Sequence, residues 1–235
     1  MNVVLVGLGR IGKLVARRLL SQDGAGLDWV GAVEKTRDPA LLSYLLNYDS
    51  TYGTLDTRVE HTPDSLRVLG SNDVPLFDDI AIAIEETSPD LVVDCSGSQK
   101  SAEILLSRDN TRSACHLFAQ ALDIVKRDKD SGVWVYGINN SDFEGQKTPR
   151  NIINPGCLNN CLIPLISCLT EQYQIVKGSF VSVHSVTNMH AMFDGAADFF
   201  APPFFFFGAS AAAAASTAAK SSLRGEGRRI CSASS

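Results

Sequence analysis

The apolar run Val3–Val6 passes without a break into "GLGRIG" (Gly7–Gly12), and Ile11, Leu14, Val15 and Leu19 then recur at helical spacing. A buried strand, a glycine turn and an amphipathic helix in immediate succession leave few folds open. Gly7 permits the tight turn, Gly9 lets a pyrophosphate approach the backbone, and Gly12 lets helix and strand pack closely. The helix N-terminus then presents N–H groups to an anion. The pattern predicts a dinucleotide crevice, with Arg10 and Ile11 on the same loop.

The alternation continues downstream. Leu27–Val33 reads as a second strand ending at Glu34, and Asp38-Pro39 as an N-cap with proline at the first helical position, opening a helix through Leu46. Val59–Leu69 and Val74–Phe77 read as short strands or a hairpin, and Ile80–Glu86 as a helix. Leu91–Cys95 is a continuous apolar strand ending in "SGS", which adds Ser96 and Gly97 to the candidate cofactor residues. His116–Ala119, Val133–Ile138 and Ile152–Asn154 are further strands, and "KRDKD" (Lys126–Asp130) a solvated turn. Strands alternating with helices predict an α/β, Rossmann-type doubly wound parallel sheet. Phe180–Val186 alternates instead, which suits a half-exposed strand in a second, α+β region. The chain is thus divided into a dinucleotide-binding domain, residues 1–155, and part of a catalytic domain, residues 156–235.

Glu34 at the end of the second strand offers a carboxylate to ribose hydroxyls, which favours NAD because a 2′-phosphate would be repelled. Lys35 and Arg37 just behind it keep NADP open. The most suggestive nucleophile is Cys157 in "NPGCLNNCLIPL" (Asn154–Leu165). Pro155-Gly156 breaks the preceding strand, and Leu158, Leu162, Leu165, Ile166 and Leu169 follow at helical spacing. The thiol therefore heads a helix, where the dipole and unpaired N–H groups favour the thiolate. Cys161 and Cys168 read as small hydrophobes. His184, in "SVHSVT", is the candidate base of a Cys–His couple. Cys157 and Cys161 are one turn apart, yet no second cluster at zinc spacing accompanies them, and no metal is expected.

Composition limits the alternatives. The 235-residue chain is 45% hydrophobic, enough for a substantial core, and its net charge of −5 without a basic stripe argues against nucleic acid as main partner. Six cysteines in a chain of this length are not a disulfide framework. No charged n-region or cleavage site precedes Val3, so a cytoplasmic protein is expected. Phe199–Ala219 carries no charge, but Pro202-Pro203 and its alanines argue against a membrane helix.

These motifs, in this order, resemble the phosphorylating type of glyceraldehyde-3-phosphate dehydrogenase, with erythrose-4-phosphate dehydrogenase a close relative. "GLGRIG" is similar to N-G-F-G-R-I-G, and "LNYDSTYG" (Leu46–Gly53) to L-K-Y-D-S-T-H-G. "DLVVDCSG" (Asp90–Gly97) and "VYGIN" (Val135–Asn139) resemble the family's S/C-T-G and V-x-G-V-N segments. "NPGCLNNCLIPL" is similar to S-N-A-S-C-T-T-N-C-L-A-P-L, "SVHSVT" to T-x-H-A/S-x-T, and "ASTAAK" (Ala215–Lys220) to A-S-T-G-A-A-K. The resemblance implies an NAD-dependent aldehyde dehydrogenase with Cys157 as nucleophile, His184 as general base and Asn160 supporting the site. It places Thr187 near a substrate phosphate, adds Thr217 to the substrate residues, and implies a small-molecule aldehyde substrate and a homotetramer.

The chain also departs from that pattern. Gly156 and Leu158 stand where the family carries Ser and Thr, and the loop after Asp194 has no arginine. The chain ends about a hundred residues early by comparison. "NPGC" is similar to N-acetylglutamyl-phosphate reductases too, but their other motifs do not fit. Two functions are therefore expected to compete: an aldehyde dehydrogenase that hydrolyses its thioester, and a catalytically weak dinucleotide-binding paralogue with a regulatory or assembly role.

Overall fold

Val3, Val4, Leu5 and Val6 are each 3% exposed or less, because the strand they form is covered on both faces. A computed structural model of the chain describes residues 1–21, 26–35, 38–107, 114–142 and 149–182. Strand β1 (Asn2–Val6) lies mid-sheet. From it the chain grows one way through α1 (Arg10–Leu19), β2 (Asp28–Val33) and α2 (Pro39–Asn47). A short antiparallel pair, β3 (Tyr48–Asp49) and β4 (Gly53–Thr54), and the hairpin β5 (Val59–His61) and β6 (Ser65–Val68) lead to β7 (Val74–Phe77) beside β2. Helix α3 (Ile80–Thr87) then carries it to the other side of β1, where β8 (Leu91–Asp94), α4 (Gln99–Ser107), β9 (Cys115–Phe118), α5 (Asp123–Arg127), β10 (Ser131–Val133) and β11 (Asn151–Ile153) follow. Helix α6 (Cys157–Gln172) comes last.

The nine-stranded sheet has the order β10-β11-β9-β8-β1-β2-β7-β6-β5, parallel except at β5–β6 and β6–β7. Winding reverses between β1 and β8, so a crevice opens there at the carboxyl ends of the strands. Alternate residues of β1 feed two cores. Val3 and Leu5 join Trp29, Leu46 and Leu66 on one face; Val4 and Val6 join Phe77, Leu105 and Phe118 on the other. Asp38 caps α2 as expected, accepting from the amides of Ala40 and Leu41, both at 3.1 Å.

Several expectations need correction. Val15 and Leu19 of α1 pack partly buried against the core as expected, but its fully buried residues are Gly12, Lys13, Ala16 and Arg17, and Ile11 is 52% exposed. The cause is a pair of cations with partners far along the chain. Lys13 Nζ lies 3.0 Å from Asp49 Oδ2 with both side chains buried, and Arg17 donates to the carbonyls of Leu46 (2.7 Å) and Gly53 (2.9 Å). Asp49 also accepts from the amides of Thr51 and Tyr52, so "YDSTYG" is a side-chain-capped turn pinned to α1. Lys126 and Arg127 end α5 rather than lying in a turn. Asp128 is structural: its Oδ2 accepts from Asn151 Nδ2 (2.9 Å), and Asn151 in turn pairs with buried His116 at 2.9 Å.

The strand expected at Val133–Ile138 stops at Val133. Gly137 has φ +79°, and Asn139 and Asn140 accept from Val135 N and Trp134 Nε1, which bends the segment into a turn. Helices α4 and α5 add to the elements legible in the sequence. Phe180–Ser182 form no strand, and the remainder of Phe180–Val186 lies outside the described residues, as does Phe199–Ala219. Among the described residues no helix is long and apolar enough to cross a membrane.

Burial pushes the Asp49 carboxyl up, but the Tyr52 and Thr51 amides and Lys13 outweigh it and hold it below its ordinary value. Its stabilisation is therefore complete above the unfolded pKa of about 4 and fades as pH falls through the lower folded value. Lys13→Met should lose about 3 kcal/mol at neutral pH by stranding a buried carboxylate. Asp49→Asn should flatten the acid limb of stability. Urea unfolding across that range measures both, and parallel acid profiles for Asp49→Asn and the unaltered protein would contradict the assignment.

Candidate dinucleotide crevice and thiol

Beyond Val6 the chain turns at Gly7, whose φ of +84° side-chain-bearing residues rarely adopt. A Cβ there would sit 2.8 Å from Ser96 Cα and 2.9 Å from Ser96 N. A Cβ at Gly12 would overlap the carbonyl oxygen of Gly7 itself. Gly9 is different, since nothing lies within 4 Å of the Cβ it lacks. Gly9 is also the N-cap of α1, with no side chain capping the first turn. Two glycines thus serve packing and one faces an opening at a helix N-terminus, which fits a pyrophosphate against backbone amides.

Glu34 follows β2 on the same edge of the sheet. Its own amide donates to Phe77 O at 2.9 Å, and its Oε2 accepts from Leu8 N at 2.7 Å, inside the glycine loop. The carboxylate is therefore held beside the loop, where a ribose would meet it. Lys35 is described and exposed, whereas Arg37 lies outside the described residues. Opposite Gly7, the turn after β8 brings Ser96 and Gly97 to the crevice. Gly97 has φ +63°, and Gln120 Oε1 stands 2.5 Å from where its Cβ would be.

The Cys157 turn is built from asparagines. Asn154 donates its amide to Phe118 O at 2.9 Å, fixing the exit of β11 to β9. Its Oδ1 accepts from Gly156 N (3.2 Å) and from Asn160 Nδ2, and Asn159 Nδ2 donates to Pro155 O at 3.1 Å. Gly156, at φ +95°, is the N-cap, and Cys157 is the exposed first residue of α6. Asn160 thus belongs to the turn that carries the thiol. The strands run parallel, so Cys157 and the glycine loop share the carboxyl edge of the sheet. Three strand spacings, about 14 Å, separate the ends of β1 and β11 along it.

The other thiols are distinguishable. Burial and then the adjacent Asp94 push Cys95 up to about 12. Burial also raises Cys115, against the pull of Arg150. Cys161 and Cys168, read as small hydrophobes, are exposed on α6, none of whose residues is buried among the described residues. His184, Thr187 and Thr217 lie outside the described residues. Among the described residues no group of three or more His, Cys, Asp or Glu could hold a metal. The sequence reading missed Asp94 and Gln120. An Asp closing an apolar run before Ser-Gly is a side-chain turn signal that could have revealed the first.

The strand order and glycine cradle define a Rossmann-type dinucleotide-binding domain. Residues 1–102 match the family described as glyceraldehyde 3-phosphate dehydrogenase, NAD binding domain. Residues 1–102 therefore carry this family's NAD-binding domain, and NAD is the cofactor it takes. It is 29% identical over 198 residues to glyceraldehyde-3-phosphate dehydrogenase of Bacteroides fragilis, covering 83% of this chain and 56% of that protein. Against the cytosolic enzyme of Pinus sylvestris the identity is 30% over 199 residues, covering 82% and 55%. Against glyceraldehyde-3-phosphate dehydrogenase 1 of Giardia intestinalis it is 29% over 195 residues, covering 80% and 54%. The chain spans about half the length of the curated relatives it matches.

The glycines make separable predictions. Gly9→Ala should fold normally yet bind NAD about tenfold more weakly, because its methyl group enters the opening. Gly12→Ala should fail to fold stably, because the methyl group meets backbone. Thermal melts beside NAD titrations test this, and a Gly9→Ala protein with full NAD affinity would contradict the cradle. Glu34→Ala should weaken NAD by about 1–2 kcal/mol and narrow the gap to NADP. Tighter NADP than NAD binding by the unaltered protein would overturn that role.

Proposed function

We propose that the chain is an NAD-dependent oxidoreductase of the glyceraldehyde-3-phosphate dehydrogenase type, oxidising an aldehyde through a thioester on Cys157. The observation that carries this reading is the position of Cys157, exposed at the head of α6 on the sheet edge that also bears the glycine loop. Gly7, Gly9, Arg10, Ile11, Gly12, Glu34, Ser96 and Gly97 would hold NAD, which supplies the hydride acceptor when bound. The Cys157 thiolate forms a C–S bond to the aldehyde carbon, giving a hemithioacetal, and His184 takes the proton from its hydroxyl. Loss of hydride leaves a thioester, and Asn160 steadies the turn beneath it. Thr187 and Thr217 are assigned to the substrate in this reading. Residues 1–155 form the cofactor domain and 156–235 contribute to catalysis, within a cytoplasmic homo-oligomer.

Cleavage of the thioester follows from the residues beside the thiol. Phosphorolysis needs hydroxyls and a cation around inorganic phosphate. Gly156 and Leu158 supply neither, and losing two donors to an anion forfeits on the order of 3 kcal/mol. Water is the favoured nucleophile, yielding a carboxylic acid, and the aldehyde is less anionic than a sugar phosphate. The same two residues favour the second reading, a catalytically weak dinucleotide-binding paralogue with a regulatory or assembly role.

NADH formation from a panel of aldehydes, with and without inorganic phosphate, separates these. Activity without phosphate is expected, and a steep, saturable phosphate requirement with glyceraldehyde 3-phosphate would overturn hydrolysis. Cys157→Ser should abolish turnover while leaving NAD affinity near normal. Turnover that survives this substitution would remove the nucleophile, and no turnover with any aldehyde would favour the paralogue.

A further inference from the structure

Asp94 closes β8 in register with Val6 of β1 and is 3% exposed. Its Oδ1 accepts from both the amide (2.9 Å) and the hydroxyl (2.6 Å) of Ser96. Ser96 Oγ then accepts from Ser98 N at 3.1 Å, and Ser98 O accepts from Ala102 N at 3.1 Å as α4 begins. One carboxyl oxygen thus organises the whole turn from β8 into α4. That turn is a wall of the crevice: Ser96 N and Cα approach Gly7 so closely that no Cβ fits between them. A displacement of Ser96 is therefore transmitted directly to the glycine loop.

The other oxygen, Oδ2, is buried with no hydrogen bond among the described residues. Burial raises the carboxyl above its ordinary value, although the Ser96 bonds oppose it. Val92 and Val93, just before it, show that an apolar side chain suits this strand. A buried polar group left half satisfied is unfavourable for stability, so its use here points to a task other than packing.

We propose that Asp94 is a positioning residue for the cofactor, setting through Ser96 how closely the β8–α4 turn stands to the Gly7 loop and hence the shape of the crevice that NAD enters. This rests on the reading that the crevice between Gly7 and Ser96 holds the dinucleotide. Asp94 acts through Ser96 and does not touch the cofactor.

The test is NAD titration of the full chain, with thermal unfolding alongside, for Asp94→Ala, Asp94→Val and Asp94→Asn. Asn keeps an oxygen acceptor for Ser96, whereas Val keeps most of the volume and accepts nothing. Ala and Val should each bind NAD about tenfold more weakly at temperatures where they are folded, and Asn should recover to within about threefold. If Ala does not fold, the Val and Asn comparison decides. Full affinity in a folded Ala or Val variant, or Asn as weak as Val, overturns the inference while leaving the cofactor site intact. Absence of NAD binding by the unaltered protein overturns the crevice reading and this inference with it.

Discussion

The backbone contact at the first helix crossing controls the arrangement of everything around it. Gly12 packs on the carbonyl of Gly7, and Gly7 packs on the backbone of Ser96, with no room for a side chain at either place. Strand β1, helix α1 and the turn after β8 are thereby brought together at the point where the sheet reverses its winding. The same contact leaves Gly9 facing an opening at a helix N-terminus. Close packing and anion affinity are thus two consequences of one arrangement. Glu34 reinforces it by accepting from Leu8 N, which ties the end of β2 to the loop.

The parts read correctly from sequence are those with local causes. Continuous apolar runs bounded by turn residues mark β1, β2 and β8, because strands covered on both faces need no polar alternation. Asp38-Pro39 marks the start of α2, because cap and proline act within one turn. The buried face of α1 is only partly legible, through Val15 and Leu19, for the opposite reason. Lys13 and Arg17 become core residues only through Asp49, Leu46 and Gly53, roughly thirty residues on. Family resemblance recognised "YDSTYG", but periodicity could not show that its aspartate anchors it to a buried lysine.

At the far side of the sheet the errors share another cause. The segment after β10 is rich in Val, Trp and Tyr and reads as strand, yet Gly137 and the side chains of Asn139 and Asn140 turn it. In the candidate site, Pro155-Gly156 correctly placed Cys157 at the head of a helix. The asparagine bonds that hold this turn, from Asn154, Asn159 and Asn160, have no periodic signature and emerge only from geometry. Asp94 was hidden likewise, as one polar letter at the end of an apolar run.

The central claim is that the NAD crevice and the Cys157 thiol work as one site along the carboxyl edge of the sheet. The direct measurement is the rate of iodoacetamide alkylation at Cys157 and Cys168, followed by peptide mapping, with and without saturating NAD. Both thiols are exposed on α6, so Cys168 is an internal control. The account predicts that NAD slows alkylation at Cys157 and leaves Cys168 unchanged. Equal rates at Cys157 in the two conditions, with NAD demonstrably bound, would contradict it.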